Sequence, residues 1–227
     1  MAMAPDLARQ LEKMRRDWDE RARANARHFV NTEREEWTDA EFFESGRRTV
    51  AEEILTDMIN ICQGKDPRQM RVLEIGCGAG RVTRALAEVF GQVFAVDISS
   101  EMVARAREAL GDCPNVRIFQ NNGRDLSVLG DLQVDFAFST IVFQHIPSRA
   151  IIENYVREVH RLLRPGGLFK FQVQGDSSIE PDSEDTWLGA SFSEEQAERM
   201  ALDCGFEPRY RYGAGQQYFW LWFFKTA

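Results

Sequence analysis

The stretch VLEIGCGAGRVT, Val72–Thr83, constrains the fold of this chain more than any other segment. Four mostly apolar residues run into glycines at every second position, Gly76, Gly78 and Gly80, and Arg81 then opens a helical pattern. A turn this bare lets another group approach the backbone closely. Two common phosphate-binding readings fail on the residues. A P-loop requires Gly-Lys-Ser/Thr at the end of its turn, and here Gly80 is followed by Arg81-Val82. A dinucleotide turn, GxGxxG, requires a third glycine for close helix–strand packing, and that place falls on Arg81 counted from Gly76 or on Thr83 counted from Gly78.

The glycine turn sits in an alternating pattern. From Arg71 the segments RVLEI, QVFAVD, VRIFQ, VDFAFST and LFKFQVQ read as short strands. The segments GRVTRALAEVF, SSEMVARAREAL and SRAIIENYVREVHRLL between them read as helices, with RPGG as a turn before the fifth strand. Alternation of this kind predicts a parallel sheet with helices on both faces. A polar acidic loop, GDSSIEPDSEDTW, follows, then a helix over SEEQAERMALDCG and two closing strands, FEPRYRY and QQYFWLWFFK. The continuously apolar YFWLWFF fits a strand covered on both faces. Ahead of Arg71 the chain reads as helical. Leu7, Leu11, Met14, Trp18, Ala22 and Phe29 form an apolar stripe among charged residues; NTEREEW and TDAEFFESG are helix starts, and RRTVAEEILTDMINIC is a further helix.

Composition narrows the setting. The 227 residues suit one structural domain, with residues 1–68 as a helical extension or lid and 69–227 as the core. A formal net charge of −8 argues against broad binding of nucleic acid or anionic membrane. The four cysteines, Cys62, Cys77, Cys113 and Cys204, form no CxxC pair, and histidines do not cluster, which points to reduced thiols in a cytoplasmic protein without a metal site. MAMAPDLARQ has no apolar core of a signal peptide, and YFWLWFF is too short to cross a bilayer.

Three polar features accompany the turn, each at the carboxyl end of a strand, where open α/β sheets bind ligands. Glu74 precedes the turn, Asp97 ends the second strand, and Asn121-Asn122-Gly123 follows the third. An acid at Asp97 can accept from both hydroxyls of a ribose or cap the helix that follows. The ligand expected is a nucleoside with a small polar group in place of a pyrophosphate. VLEIGCGAG, VFAVDISSEMVARARE, NVRIFQNNGRDL, VDFAFSTIVFQHIP and LLRPGGLFKF, in this order over residues 70–175, together resemble the class I S-adenosylmethionine-dependent methyltransferases.

The resemblance implies a three-layer, doubly wound, mostly parallel seven-stranded sheet with its last strand antiparallel, and S-adenosylmethionine as cofactor with S-adenosylhomocysteine as product. It implies that Glu74, Gly76, Gly78 and Gly80 cradle the methionine part, with Cys77 packed under the turn. Carbonyls near Gly76 and Ser139 would accept from its ammonium, and the helix opening at Arg81 would favour its carboxylate. Asp97 would hold the ribose, Ile98 and Met102 would sandwich adenine, and the turn Asn122-Gly123-Arg124 would meet the adenine amino group, with the Asn122 carbonyl where many relatives have an aspartate. Met102 also fits a core position.

The methyl acceptor leaves fewer marks. The sulfonium donor is already activated, so the protein aligns the reactants and excludes water, with a base needed only for an acceptor that holds its proton at neutral pH. His145 in FQHIP is a candidate base or a loop brace, and His28 is a further candidate base. Trp18, Arg27, Gln144, Gln172, Gln174 and Trp187 are candidates for the acceptor pocket; Trp18 also fits a core position, Arg27 a solvated face and Trp187 a loop anchor, while Gln172 and Gln174, two apart on a buried strand, want partners. No Asn/Asp-Pro-Pro-aromatic run follows the fourth strand, and the only Cys-Pro neighbours are Cys113-Pro114, the reverse of a cytosine-C5 nucleophile. These features predict methyl transfer to oxygen or nitrogen of a small molecule, without nucleic acid or membrane. A cofactor-binding protein without turnover is the second reading. Residues 1–40 and 175–187 are expected to be mobile until ligands order them as a lid.

Overall fold

Among the described residues, short β-branched and aromatic runs bounded by glycine and polar residues form seven strands, ordered β3-β2-β1-β4-β5-β7-β6 in one sheet. In this computed structural model residues 5–178 and 186–226 are described. The acidic core of the expected mobile loop, 179–185, lies outside them. The chain divides into two compact units, one of residues 15–120 and one containing the remainder.

In the unit of residues 15–120, β1 (Arg71–Ile75) pairs in parallel with β2 (Gln92–Asp97), and β2 with β3 (Val116–Gln120). Val72, Leu73 and Ile75 are buried, as are Val93–Val96, while β3 alternates between half-buried and exposed residues. Helices α4 (Arg81–Val89) and α5 (Ser100–Ala109) follow β1 and β2. Two helices precede β1. Helix α1 runs Pro5–Val30 with a kink at Asn25, and α2 runs Asp39–Glu53.

The helical prelude departs from the sequence reading in three places. NTEREEW is irregular, because the helix starts later, at a capping box. There Glu41 N–H donates to Thr38 Oγ1 and Thr38 N–H to Glu41 Oε2. TDAEFFESG and RRTVAEE then form one helix, α2, without a break at Gly46. The expected helix to Cys62 instead breaks at Ile54 into a 3₁₀ turn, Leu55–Asp57, and a short α3, Met58–Cys62.

The second unit holds β4 (Val134–Ser139), α6 (Arg149–Leu162), β5 (Leu163–Val173), α7 (Glu194–Asp203), β6 (Phe206–Tyr212) and β7 (Phe219–Lys225). β4 and β5 are parallel, and β7 is antiparallel to both β5 and β6. RPGG is part of β5 rather than a turn before it. The pairing steps from Val134↔Leu163 to Phe136↔Leu168, so the extra residues form a bulge, with Gly166 at φ +80°. Along β5, Phe169, Phe171 and Val173 point to one face, where Phe169 and Phe171 stack at 4.1 Å and Phe143 meets both edge-on. Lys170, Gln172 and Gln174 point to the other face and are also buried.

Gly46 fixes how closely α2 packs on α4. A Cβ there would lie 2.0 Å from the Arg81 carbonyl oxygen. Gly→Ala inside a helix ordinarily gains up to ~1 kcal/mol. Gly46→Ala should do the reverse and lower the urea midpoint by the equivalent of about 2 kcal/mol or more, as overpacking against a backbone atom does. An unchanged or raised midpoint would show that α2 can back away from α4.

Candidate active site

The glycine turn is built by the chain's own packing as well as by the needs of any ligand. Gly76, Gly78 and Gly80 all have positive φ, +74°, +52° and +87°. The N–H groups of Gly76 and Cys77 donate to the Val96 carbonyl at 2.8 and 3.1 Å, which folds the turn onto the end of β2. A Cβ on Gly80 would meet Leu110 Cδ1 at 2.8 Å, and one on Gly78 would meet Val30 Cγ2 at 2.6 Å. The last residue of α1 therefore sits directly on Gly78. Cys77 is buried in the turn, where burial pushes its thiol well above the ordinary range. A thiol so held is protonated and not a nucleophile.

Asp97 ties this turn to the next helix. Gly78 N–H donates to Asp97 Oδ2 at 2.8 Å, and Ser99 N–H donates to Oδ1 at 2.9 Å. Each oxygen keeps one lone pair, so the fixed carboxylate can accept two further donors side by side, as a vicinal diol requires. Ser99, not Asp97, is the N-cap of α5, with Met102 N–H donating to its Oγ at 3.1 Å. Ser99 Oγ–H in turn donates to Asp19 Oδ1 at 2.7 Å. Asp19 is 3% exposed and also accepts from Glu101 N–H at 3.3 Å. Neither Asp19 nor Val30 is singled out by its place in the sequence.

Beneath the turn lies a buried polar group of Glu74, Arg81 and Thr83. Arg81 Nη1 donates to the Ser45 carbonyl at 3.0 Å and to Thr49 Oγ1 at 2.9 Å. Among the described residues, Glu74 Oε2, Arg81 Nε and Thr83 Oγ1 have no hydrogen-bond partner of ordinary geometry. Burial pushes the Glu74 carboxyl up to about 7. The Thr83 hydroxyl and the Arg81 charge pull it down without a hydrogen bond of ordinary geometry, and Asp97 adds to the rise. Burial also raises Asp97, to about 6, against the pull of the Ser99 and Gly78 N–H groups and with a like-charge push from Asp19. Asp97 keeps partial exposure while Glu74 is 4% exposed, so the stronger desolvation belongs to Glu74.

The other candidates in this unit make the following contacts. Met102 is buried in a cluster with Ala22, Ala26, Trp37, Phe42 and Ala79, against which Trp18 packs, and Ile98 is half-buried. Arg27 donates to the Trp37 carbonyl and pairs with Asp39. His28 Nδ1–H donates to the Arg34 carbonyl. A cleft of about 770 Å³ lined by Arg34, Arg47, Arg48 and Arg84 includes neither the glycine turn nor Asp97, and each of these arginines is ion-paired.

In the second unit, Asn122 is exposed and its Oδ1 accepts from Arg124 N–H and Asp125 N–H. Both carbonyl lone pairs are thereby engaged, which leaves none for the adenine donor expected of it. Gly123 is buried, at φ +76°, and Arg124 is exposed. Ser139 is buried at the end of β4. Two residues on, Ile141 has φ +55°, a strained conformation for a β-branched residue. Its N–H donates to Gln172 Oε1 at 3.1 Å, and Gln172 Nε2 donates to Gln144 Oε1 at 2.8 Å. Gln144 Nε2 lies 3.4 Å from His145 Nε2, and His145 Nδ1–H donates to the Trp187 carbonyl at 2.6 Å. His145 is thereby tied to the Trp187 backbone through Nδ1, with its ring 5.0 Å from that of Trp187. Gln174 Oε1 accepts from Asp176 N–H. The strained Ile141 carried no warning in its residue type.

A carboxyl raised by burial favours the fold while protonated, and that contribution is lost as pH rises through the raised value. Glu74→Gln should therefore match the ligand-free wild type only at or below about pH 4.5, the ordinary glutamate value. By pH 8 it should exceed it by on the order of 3 kcal/mol, several degrees in Tm. A difference independent of pH would show that Glu74 is not protonated in the fold near neutrality.

Residues 72–167 match the family described as methyltransferase domain. A malonyl-[acyl-carrier protein] O-methyltransferase of Ilyobacter polytropus is 28% identical over 126 residues, 55% of this chain and 45% of the relative. Trans-aconitate 2-methyltransferase of Azoarcus sp. is 36% identical over 104 residues, 45% of this chain and 38% of the relative. The chain thus spans less than half the length of these curated relatives. Among solved structures, a DhpI–SAH complex is similar with a TM-score of 0.65 at 21% identity, over 95% of this chain and 97% of that one. Magnesium protoporphyrin IX methyltransferase from Synechocystis PCC 6803, with bound SAH, gives a TM-score of 0.66 at 16% identity, over 93% and 98%. At these identities the structural likeness is one of fold. Residues 72–167 thus match a methyltransferase domain, and motif order and strand order agree with the fold of the class I S-adenosylmethionine-dependent methyltransferases.

Proposed function

We propose that the chain binds S-adenosylmethionine and transfers its methyl group to an oxygen or nitrogen of a small-molecule acceptor by in-line displacement. The observation that carries this reading is the Asp97 carboxylate, fixed by the N–H groups of Gly78 and Ser99 with one lone pair left on each oxygen. That arrangement fits a ribose diol and joins it to a glycine turn of positive φ. Bound there, the cofactor would supply a methyl group already activated on a sulfonium. The residues of the chain would bind and orient it: Asp97 at the ribose, the backbone of Gly76–Gly80 along the methionine part, Ile98 and Met102 near the base. Helix α1 would exclude water as part of a lid formed by residues 1–68.

Oxygen is the favoured acceptor atom. Relatives are named for O-methylation of a malonyl group on a carrier protein and for methylation of trans-aconitate. Both acceptors are carboxylic acids, which are ionised at neutral pH and need no base. On that reading His145, tied through Nδ1 to the Trp187 carbonyl, is not required as a base. The four thiols are free, which supports a cytoplasmic setting, and among the described residues no helix is long and apolar enough to cross a membrane.

Calorimetry with S-adenosylhomocysteine tests the cofactor reading. Wild type should bind, and a folded Asp97→Ala variant should bind at least ~10-fold more weakly, since charge-assisted hydrogen bonds contribute about 1.5–3 kcal/mol each. Equal affinities would remove the ribose assignment. Labelled methyl transfer to a panel of free and carrier-bound di- and tricarboxylic acids tests turnover. Binding without transfer to any of them, or to phenol and amine controls, would favour a binding protein.

A further inference from the structure

Contacts around Asp97, three hydrogen bonds and one apolar approach, form a ring that begins and ends on α1. Asp19 accepts from Ser99 Oγ–H at 2.7 Å, Ser99 N–H donates to Asp97 Oδ1 at 2.9 Å, and Gly78 N–H donates to Asp97 Oδ2 at 2.8 Å. The Cβ position of Gly78 then falls 2.6 Å from Val30 Cγ2, eleven residues beyond Asp19 on the same helix. Between the two anchors α1 departs from helical geometry at Asn25. The Asn25 side chain holds this joint, accepting from His28 N–H at 3.2 Å and donating to the Glu35 carbonyl at 2.8 Å. The span from 19 to 30 is therefore fixed at both ends and at its joint.

The tie at Asp19 is not an ordinary surface contact. Its carboxylate is 3% exposed, and it collects Ser99 Oγ–H, Glu101 N–H and, at 3.4 and 3.5 Å, Ser100 Oγ–H. Arg15 lies one turn earlier at 3.6 Å. Ser99 Oγ accepts from Met102 N–H, so its only proton goes to Asp19. Replacing the carboxylate leaves that hydroxyl and the Glu101 N–H to find other partners, a cost larger than that of losing a solvated pair.

Resting on the cofactor reading above, we propose that Asp19 is a positioning residue that latches α1 across the ribose-binding loop and so sets the rate at which the cofactor enters and leaves. Asp19 acts through Ser99 on the orientation of Asp97. The C-terminal end of α1, through Val30, covers the glycine turn. A ligand lying on Gly78 and Asp97 has to displace this strap to exchange. Weakening the latch speeds entry and exit together and changes affinity less than either rate.

Stopped-flow measurement with S-adenosylhomocysteine, followed by tryptophan fluorescence and by displacement, tests this on the full chain. Asp19→Asn keeps the shape and removes the charge; Val30→Ala shortens the second anchor; Glu20→Gln, an exposed neighbour, is the control. Asp19→Asn should raise both association and dissociation rates about tenfold or more, the scale of one buried charge-assisted bond. Val30→Ala should raise both by a smaller factor, and Glu20→Gln should move neither. A purely structural role would lower Tm without moving the two rates together. Unchanged rates in folded Asp19→Asn and Val30→Ala, or a change confined to dissociation, would overturn the latch. Should Asp19→Asn not fold, Val30→Ala and amide exchange decide: protection of residues 15–30 in the wild type must be lost no more slowly than the ligand leaves. Failure of the wild type to bind S-adenosylhomocysteine overturns the cofactor reading, and the latch with it.

Discussion

The carboxylate of Asp97 joins the parts of this unit that sequence separates. One oxygen takes the N–H of Gly78, and the other takes the N–H of Ser99 ahead of α5. The backbone of the glycine turn is thereby fixed relative to the start of the next helix. The turn itself depends on positive φ at three glycines and on the Val96 carbonyl that receives the Gly76 and Cys77 N–H groups. Holding a negative charge here opposes burial, and the raised carboxyls of Asp97 and Glu74 record that opposition. Raised carboxyls gathered beside a glycine turn are a feature of functional sites, where charge is stabilised by the ligand rather than by the fold alone.

Much of the sheet was legible because its residues alternate between apolar runs and amphipathic stretches. Val72–Ile75 and Val93–Val96 could bury both faces, and the parallel order follows from the helices between them. Asp97 was legible as well, since it ends a strand beside a glycine turn. Boundaries were less so. RPGG looks like a turn in isolation, yet the neighbouring strand holds it as a bulge within β5. Gly46 looks like a helix break, yet close approach to the Arg81 carbonyl is what requires it, and the helix runs through.

Contacts distant in sequence were not legible. Asp19 meets Ser99 across 80 residues, and nothing in the local pattern of α1 sets it apart from the acids around it. Asn122 illustrates the converse: its residue type allows it to accept from an adenine amino group, but two neighbouring N–H groups already take its carbonyl. Gln172 was expected to need a partner because buried amides do, and Gln144 was a candidate for the acceptor pocket. The structure supplies each to the other and joins them to the strained Ile141.

The central claim is that Asp97 receives a ribose as a carboxylate, although burial raises it to about 6 in the ligand-free protein. Accepting two hydroxyls favours the charged form, so binding must lower the pKa and release protons near pH 6. Titration with S-adenosylhomocysteine at pH 6, in two buffers of different ionisation enthalpy, measures that release directly. The account predicts proton release on binding to the wild type and its loss in Asp97→Asn. Binding without proton release, or release that persists in Asp97→Asn, would contradict it.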